Sequence, residues 1–197
     1  MPLAALVVLS YLMGGIPTGY LVVKRLRGID IRKHGSGNPG TANVYRVAGR
    51  LPGAITLLVD AAKGCIPVLL AERFFPGRVD LALACGAAAI IGHDWTVFLG
   101  FKGGKGVATS AGVFGALMPK AAACAAAAFF AGFAVTGHIS VGSMAGALAL
   151  PLAGWGFGYA PLLDGAAAVS AALILYKHIP NIRRLRQRKE LFLSEKK

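Results

Sequence analysis

The apolar positions of this chain fall into blocks separated by short polar segments. Six blocks are long, at 2–23, 51–71, 79–100, 120–137, 141–159 and 163–178. Each is near the ~20 residues a helix needs to cross a hydrocarbon core roughly 30 Å thick. A seventh, VATSAGVFGALMP at 107–119, has thirteen residues and reaches only about 20 Å as a helix. The pattern predicts an all-α integral membrane protein, a single polytopic domain over 1–197. The first block reads as a span and not as a signal peptide. No basic segment precedes it, and no small-residue cleavage site follows before the basic cluster at Lys24.

Charge decides whether the short block counts. The chain carries 21 Lys plus Arg against 8 Asp plus Glu, a net charge of +13. Seven basic residues lie in 24–50 (Lys24, Arg25, Arg27, Arg32, Lys33, Arg46 and Arg50) and eight from Lys177 onward. The positive-inside rule puts both groups in the cytoplasm. That requires an even number of spans between them, so 107–119 counts. The expectation is a seven-transmembrane-helix bundle with its N-terminus outside and a basic cytoplasmic tail at 179–197. Lys102 and Lys105 then stand inside, whereas Arg73, Arg78 and Lys120 stand outside. Gly- and Ala-rich blocks such as AAACAAAAFFAG favour close helix packing in lipid. Cys65, Cys85 and Cys124 lie in apolar blocks without metal or disulfide spacing, and read as small buried residues. Nucleic acid is disfavoured, because no base-reading module is visible.

This topology gathers the polar chemistry on one side, in 35–46, 92–110, 137–143 and 176–190. In GSGNPGTANVYR (35–46), Gly35, Gly37 and Gly40 allow positive-φ turns that converge backbone N–H groups on an anion. Ser36, Thr41 and Asn43 add hydrogen-bond groups, and Arg46 a fork suited to phosphate. The alternative is an ordinary loop of turn formers. GFKGGKG (100–106) has glycines and Lys105 at the start of a short helix. It is no Walker A loop: Leu99 stands where the first glycine belongs and Gly106 where a Ser or Thr would ligate magnesium. A positively charged turn is the alternative here. His178 and Asn181 can share a helix face, with Pro180 blocking a clean helix and presenting both to a cavity. His178 alone also fits an interfacial side chain. His93 and Asp94, about two turns inside the third span, are intramembrane candidates. Asp60 and Lys63 read as a neutralising pair, with a proton or ion pathway as the alternative. Ser140 and Ser143 are site donors or interhelical hydrogen bonds. Together these groups suit an enzyme joining a phosphate-bearing polar substrate to a lipid. The rival is an anion transporter, which usually holds its site near the midplane within repeats.

GSGNPGTANVYR, GHDWTVFLGFKGGKGVATS and YKHIPNIRRLRQRKE, together with DAAKG at 60–64, resemble the motifs of the bacterial acyl-phosphate-dependent glycerol-3-phosphate acyltransferases, the PlsY family. The resemblance implies transfer of an acyl group from acyl phosphate to the 1-hydroxyl of glycerol 3-phosphate, yielding lysophosphatidic acid and phosphate. It implies an enzyme in the bacterial inner membrane, without cofactor or metal, with its site facing the cytoplasm. By the same resemblance Ser36 and Arg46, Lys105, and His178 with Asn181 are the catalytic residues. Thr41, Asn43, Gly103, Gly104 and Gly106 bind substrate, the second motif taking glycerol phosphate, and Glu190 is structural; Gly37 of the first anion loop and Ser143 as a donor join the binding set on the reading of the residues alone. The His-x4-Asp pair of many thioester-dependent acyltransferases is missing: Pro39, Phe98, Ser143 and Arg183 stand at that spacing from the four histidines. A mixed anhydride has a good leaving group, so direct attack by the glycerol hydroxyl suffices, with Ser36 a donor and not a nucleophile.

Overall fold

The structure, a computed structural model, describes residues 3–193. Pro2 and the terminal Lys196 and Lys197 lie outside the described residues. The chain forms two compact units, one running to Val113 and one over Phe114–Leu193. The first holds α1 (Leu3–Gly15), α2 (Thr18–Arg27), α3 (Thr41–Ala48), α4 (Arg50–Phe74), α5 (Val79–Asp94) and the start of α6 (Val107–Leu117). The second continues through α7 (Pro119–Thr136), α8 (Ile139–Gly156), α9 (Pro161–Lys177) and α10 (Ile179–Arg186).

Five helical stretches among the described residues are long and apolar enough to cross a membrane: Leu3–Arg27, Arg50–Phe74, Val79–Leu99, Pro119–Thr136 and Ile139–Gly156. α9 and α10, bent by 51°, make a sixth if taken together. α6 has eleven residues and falls short of that length, so a seventh crossing rests on it. Large apolar side chains are exposed along these helices, with Leu58 69%, Trp155 81% and Val135 85% accessible. Water penalises such a surface, whereas acyl chains accept it.

The first expected span is not one continuous helix. α1 ends at Gly15 and α2 begins at Thr18. Pro17 has no N–H and disfavours helical backbone at Ile16. The carbonyls released at the break are taken up by side chains from other elements. Thr96 Oγ1 donates to Gly15 O at 2.6 Å and Lys63 Nζ to Ile16 O at 2.8 Å. Irregular backbone inside a membrane is tolerated only when protein groups satisfy it in this way.

Small residues let the helices of the first unit touch. A side chain at Gly14 would strike the Ala89 backbone and one at Gly92 the Tyr11 carbonyl, which joins α1 to α5. Gly64 and Gly112 likewise bring α4 and α6 together. In the second unit α7 packs on α8 and α8 on α9. There Gly142 and Gly146 lie against the Phe129 and Ala125 carbonyls. The cysteines depart from expectation: Cys85 is buried, Cys65 half-buried and Cys124 exposed. Its place in an apolar block did not bury Cys124, because α7 turns that face outward.

Candidate functional site

The first polar segment is seated on a small apolar core of Val23, Ile31, Val44 and Ala48. A 3-10 turn at Ile31–Lys33 is capped by Asp30, whose carboxylate accepts from Arg32 N at 3.0 Å and pairs with its guanidinium at 2.7 Å. The hydrogen bonds from the Arg32 side chain hold the Asp30 carboxyl down to about 2. The chain then reverses through Gly35 (φ 58°) and Gly37 (φ 73°), as the turn reading requires. Gly40 does not share that conformation. It is extended, with φ −78° and ψ 169°, because it caps α3.

Asn43 fastens the loop. Its Oδ1 accepts from Ser36 N at 2.9 Å, and its Nδ2 donates to His34 O at 3.0 Å. The side chain expected to contact substrate is therefore buried at 1% exposure and engaged with backbone. Ser36 and Arg46 are half-buried. Thr41 opens α3, and its hydroxyl is buried with no hydrogen-bond partner among the described residues.

The second segment folds back over the end of α5. His93 and Asp94 are the last two residues of that helix, six and five residues inside the end of the membrane-length stretch Val79–Leu99. After a turn at Val97–Leu99, Gly100 and Phe101 both take φ 62°. Gly103 N then donates to Asp94 O at 3.3 Å and Gly104 N to His93 O at 3.0 Å. A Cβ at Gly104 would overlap the His93 ring, and one at Gly103 the His93 carbonyl. Gly106, at φ 73°, lies against the Asp94 carboxylate. Ser110 N donating to Gly106 O at 2.7 Å starts α6. Lys105 thus stands, half-buried, just ahead of a helix N-terminus whose first-turn N–H groups lack intrahelical acceptors.

The two segments meet at one cleft. It is lined by Ile16–Gly19 from the helix break, Pro39 from the first segment, and Gly103 and Gly104 from the second. Asp60, Lys63 and His93 complete its wall. Lys63 Nζ lies 2.8 Å from Asp60 Oδ1 with both side chains at most 5% exposed, the neutralising pair expected from their spacing. Sequence reasoning missed that this pair and His93 border the glycine-rich segment. The Gly14-Gly15-Ile16-Pro17 string was the available signal.

Ser143, His178 and Asn181 belong to the second unit. His178 sits at the α9/α10 junction, 2% exposed, with Nδ1 2.7 Å from Ile174 O. A carbonyl only accepts, so Nδ1 carries a proton. Pro180 falls in the first turn of α10, and the helix breaks just ahead of it as expected, with α9 and α10 bent by 51°. Asn181 is buried, and its Nδ2 donates to Glu190 Oε1. The Glu190 carboxylate also accepts from Ser140 Oγ at 2.8 Å and Arg184 Nε at 2.7 Å. Burial pushes the Glu190 carboxyl up, but the three donors outweigh it and leave its pKa below the ordinary glutamate value. Ser143 Oγ donates to Ile139 O, within its own helix, at 2.8 Å. Ser140 is thus the serine tied to the third motif.

Fold and site define a polytopic α-helical membrane protein in which glycine-rich, cationic segments converge on a polar cleft. The chain matches the glycerol-3-phosphate acyltransferase family model over residues 4–188. It is 48% identical over 183 residues to a glycerol-3-phosphate acyltransferase of Geobacter sulfurreducens, covering 92% of this chain and 93% of the relative. It is 47% identical over 191 residues to one from Myxococcus xanthus, covering 95% and 97%. The crystal structure of PlsY, an integral membrane glycerol 3-phosphate acyltransferase, in its glycerol 3-phosphate form superposes with a TM-score of 0.91 at 36% identity, covering 96% of this chain and 94% of that one. Its lysophosphatidic acid form gives a TM-score of 0.89. The chain belongs to the glycerol-3-phosphate acyltransferase family.

Proposed function

We propose that this protein transfers an acyl group from acyl phosphate to the 1-hydroxyl of sn-glycerol 3-phosphate, releasing lysophosphatidic acid and inorganic phosphate. The observation that carries the reading is the second segment, where Gly103 and Gly104 close on the end of α5 and deliver Lys105 to the start of α6. A helix N-terminus with an adjacent lysine suits the phosphate of glycerol 3-phosphate. The PlsY likeness, solved with glycerol 3-phosphate and with lysophosphatidic acid, supports the same acceptor and product.

In this mechanism the glycerol oxygen attacks the acyl carbonyl carbon, and the bond from that carbon to the bridging oxygen of the phosphate breaks. The phosphate departs with the bonding electron pair. The hydroxyl proton goes to a departing phosphoryl oxygen or to a general base, the role that the family resemblance gives His178. Arg46, Lys105 and backbone amides stabilise the developing charge, and Ser36 donates a hydrogen bond. Gly37 and Thr41 shape the first anion loop, and Asn43 holds it closed. Gly103, Gly104 and Gly106 do the same for the second. Asn181, bonded to Glu190, holds the start of α10 beside His178, whereas Ser143 stays bonded within its own helix. No cofactor or metal enters the step. The working topology is one seven-span domain in the bacterial inner membrane, with the N-terminus outside and the reaction at the cytoplasmic face.

The test offers purified protein labelled glycerol 3-phosphate with either acyl phosphate or acyl-CoA. Lysophosphatidic acid and phosphate should form one to one with acyl phosphate only. Equal turnover with acyl-CoA, or a stable acyl adduct on Ser36, would overturn the donor and the direct transfer.

A further inference from the structure

We infer that Asp60, Lys63 and His93 act as positioning residues, holding the second glycine-rich segment in register for the phosphate of glycerol 3-phosphate; the inference rests on the reading of that segment given above. A buried ion pair is seldom the most stable filling for its space, since apolar side chains of similar volume serve as well or better. Ionisable groups within a membrane span call for a role. The geometry supplies one.

Lys63 Nζ makes two 2.8 Å contacts, to Asp60 Oδ1 and to the Ile16 carbonyl exposed by the α1/α2 break. The same Asp60 oxygen lies 3.9 Å from His93 Nδ1. The His93 ring fills the space that a side chain on Gly104 would need, and the His93 carbonyl accepts the Gly104 N–H at 3.0 Å. A continuous set of contacts therefore runs from the broken helix through α4 and α5 to the residue preceding Lys105. Gly104 cannot shift toward α5 while the ring is in place, and the ring is held beside the Asp60 carboxylate. A lysine at position 63 has the reach to bond both Asp60 and Ile16, which the adjoining Ala61 and Ala62 lack.

The experiment measures KM and kcat for glycerol 3-phosphate, and KM for acyl phosphate, with melting temperature as the check on folding. The variants are Lys63→Met, Lys63→Arg, the double Asp60→Asn/Lys63→Met, and Lys105→Ala. Lys63→Met and the double variant should raise KM for glycerol 3-phosphate at least about tenfold, while kcat and the donor KM move less than about threefold. Lys63→Arg, which keeps the cation and the donor to Ile16, should restore KM to within about threefold. Should Lys63→Met leave Asp60 uncompensated and fail to fold, the charge-free double variant decides. A folded double variant with unchanged KM overturns the inference, as does a loss shared by kcat and both KM values that Lys63→Arg does not repair. If Lys105→Ala itself leaves kcat/KM intact, the reading of the second segment fails. If Lys105→Ala is impaired and the pair variants are normal, only the positioning role fails.

Discussion

At the scale of single residues, the cationic side chains and the amide side chain of the first segment have different work. Asn43 braces the loop through backbone bonds to Ser36 and His34, whereas Arg46 and Lys105 bring charge to the glycine-rich segments. Arg46→Ala and Lys105→Ala should each lower turnover at least about 100-fold, the scale of losing one oxyanion donor. Near-normal rates in folded protein would remove both from the site. Glu190 is a different case, since it gathers Ser140, Asn181 and Arg184 around one carboxylate. Its folded pKa is depressed, so its stabilisation is present above the ordinary glutamate value of 4.5 and is lost as pH falls through the lower folded value. Wild type should therefore be more stable than Glu190→Gln near neutrality, and the difference should vanish on acidification below about 4.5. Thermal melts of both proteins across that range check this; a gap independent of pH would mean that the carboxylate charge is not what holds the donors.

Among the elements, α6 makes packing testable within one helix. A Cβ at Gly112 would enter the Ala61 carbonyl of α4, whereas one at Gly115 would meet nothing within 4 Å. Gly112→Ala should cost about 1–3 kcal/mol through forced backbone displacement. Gly115→Ala should be neutral or gain up to about 1 kcal/mol of helix propensity. Equal melting temperatures for the two would contradict the α4–α6 contact. The long blocks of the sequence became helices near their expected bounds, because length and apolarity alone specify a span. What the block pattern hid was local. The break at Ile16–Pro17 interrupts an otherwise unbroken apolar run, and α3 lies partly within a segment that reads as turn formers. Its apolar side is small, made of Val44, Val47 and Ala48 packed on Val23 and Ile31. The positive φ of Gly35 and Gly37 was legible from residue type. The pairing of His93 with Gly104 was not, since it depends on how a loop returns to its own helix.

For the whole molecule, the positive-inside rule predicts that the basic segments at 24–50 and from Lys177 onward share the cytoplasmic side. With the three native cysteines replaced, single cysteines at Ser36 and Arg188 should both react with a membrane-impermeant thiol reagent from the cytoplasmic side only. Labelling from opposite sides would defeat the seven-span arrangement. The family was legible because its chemistry is written in contiguous strings, GSGNPGTANVYR and GFKGGKG among them. The pairing of Asp60 with Lys63 was legible from their spacing, but their contacts with His93 and Ile16 were not, since those neighbours come from distant parts of the chain. The central claim is that the second glycine-rich segment, with Lys105 at the start of α6, holds the phosphate of glycerol 3-phosphate. Equilibrium binding of labelled glycerol 3-phosphate to purified protein, without acyl donor, tests it most directly. Wild type should bind one equivalent, competed by inorganic phosphate, and folded Lys105→Ala should bind at least about tenfold more weakly, the scale of one buried charge-assisted hydrogen bond. Unaltered affinity in Lys105→Ala would contradict the account.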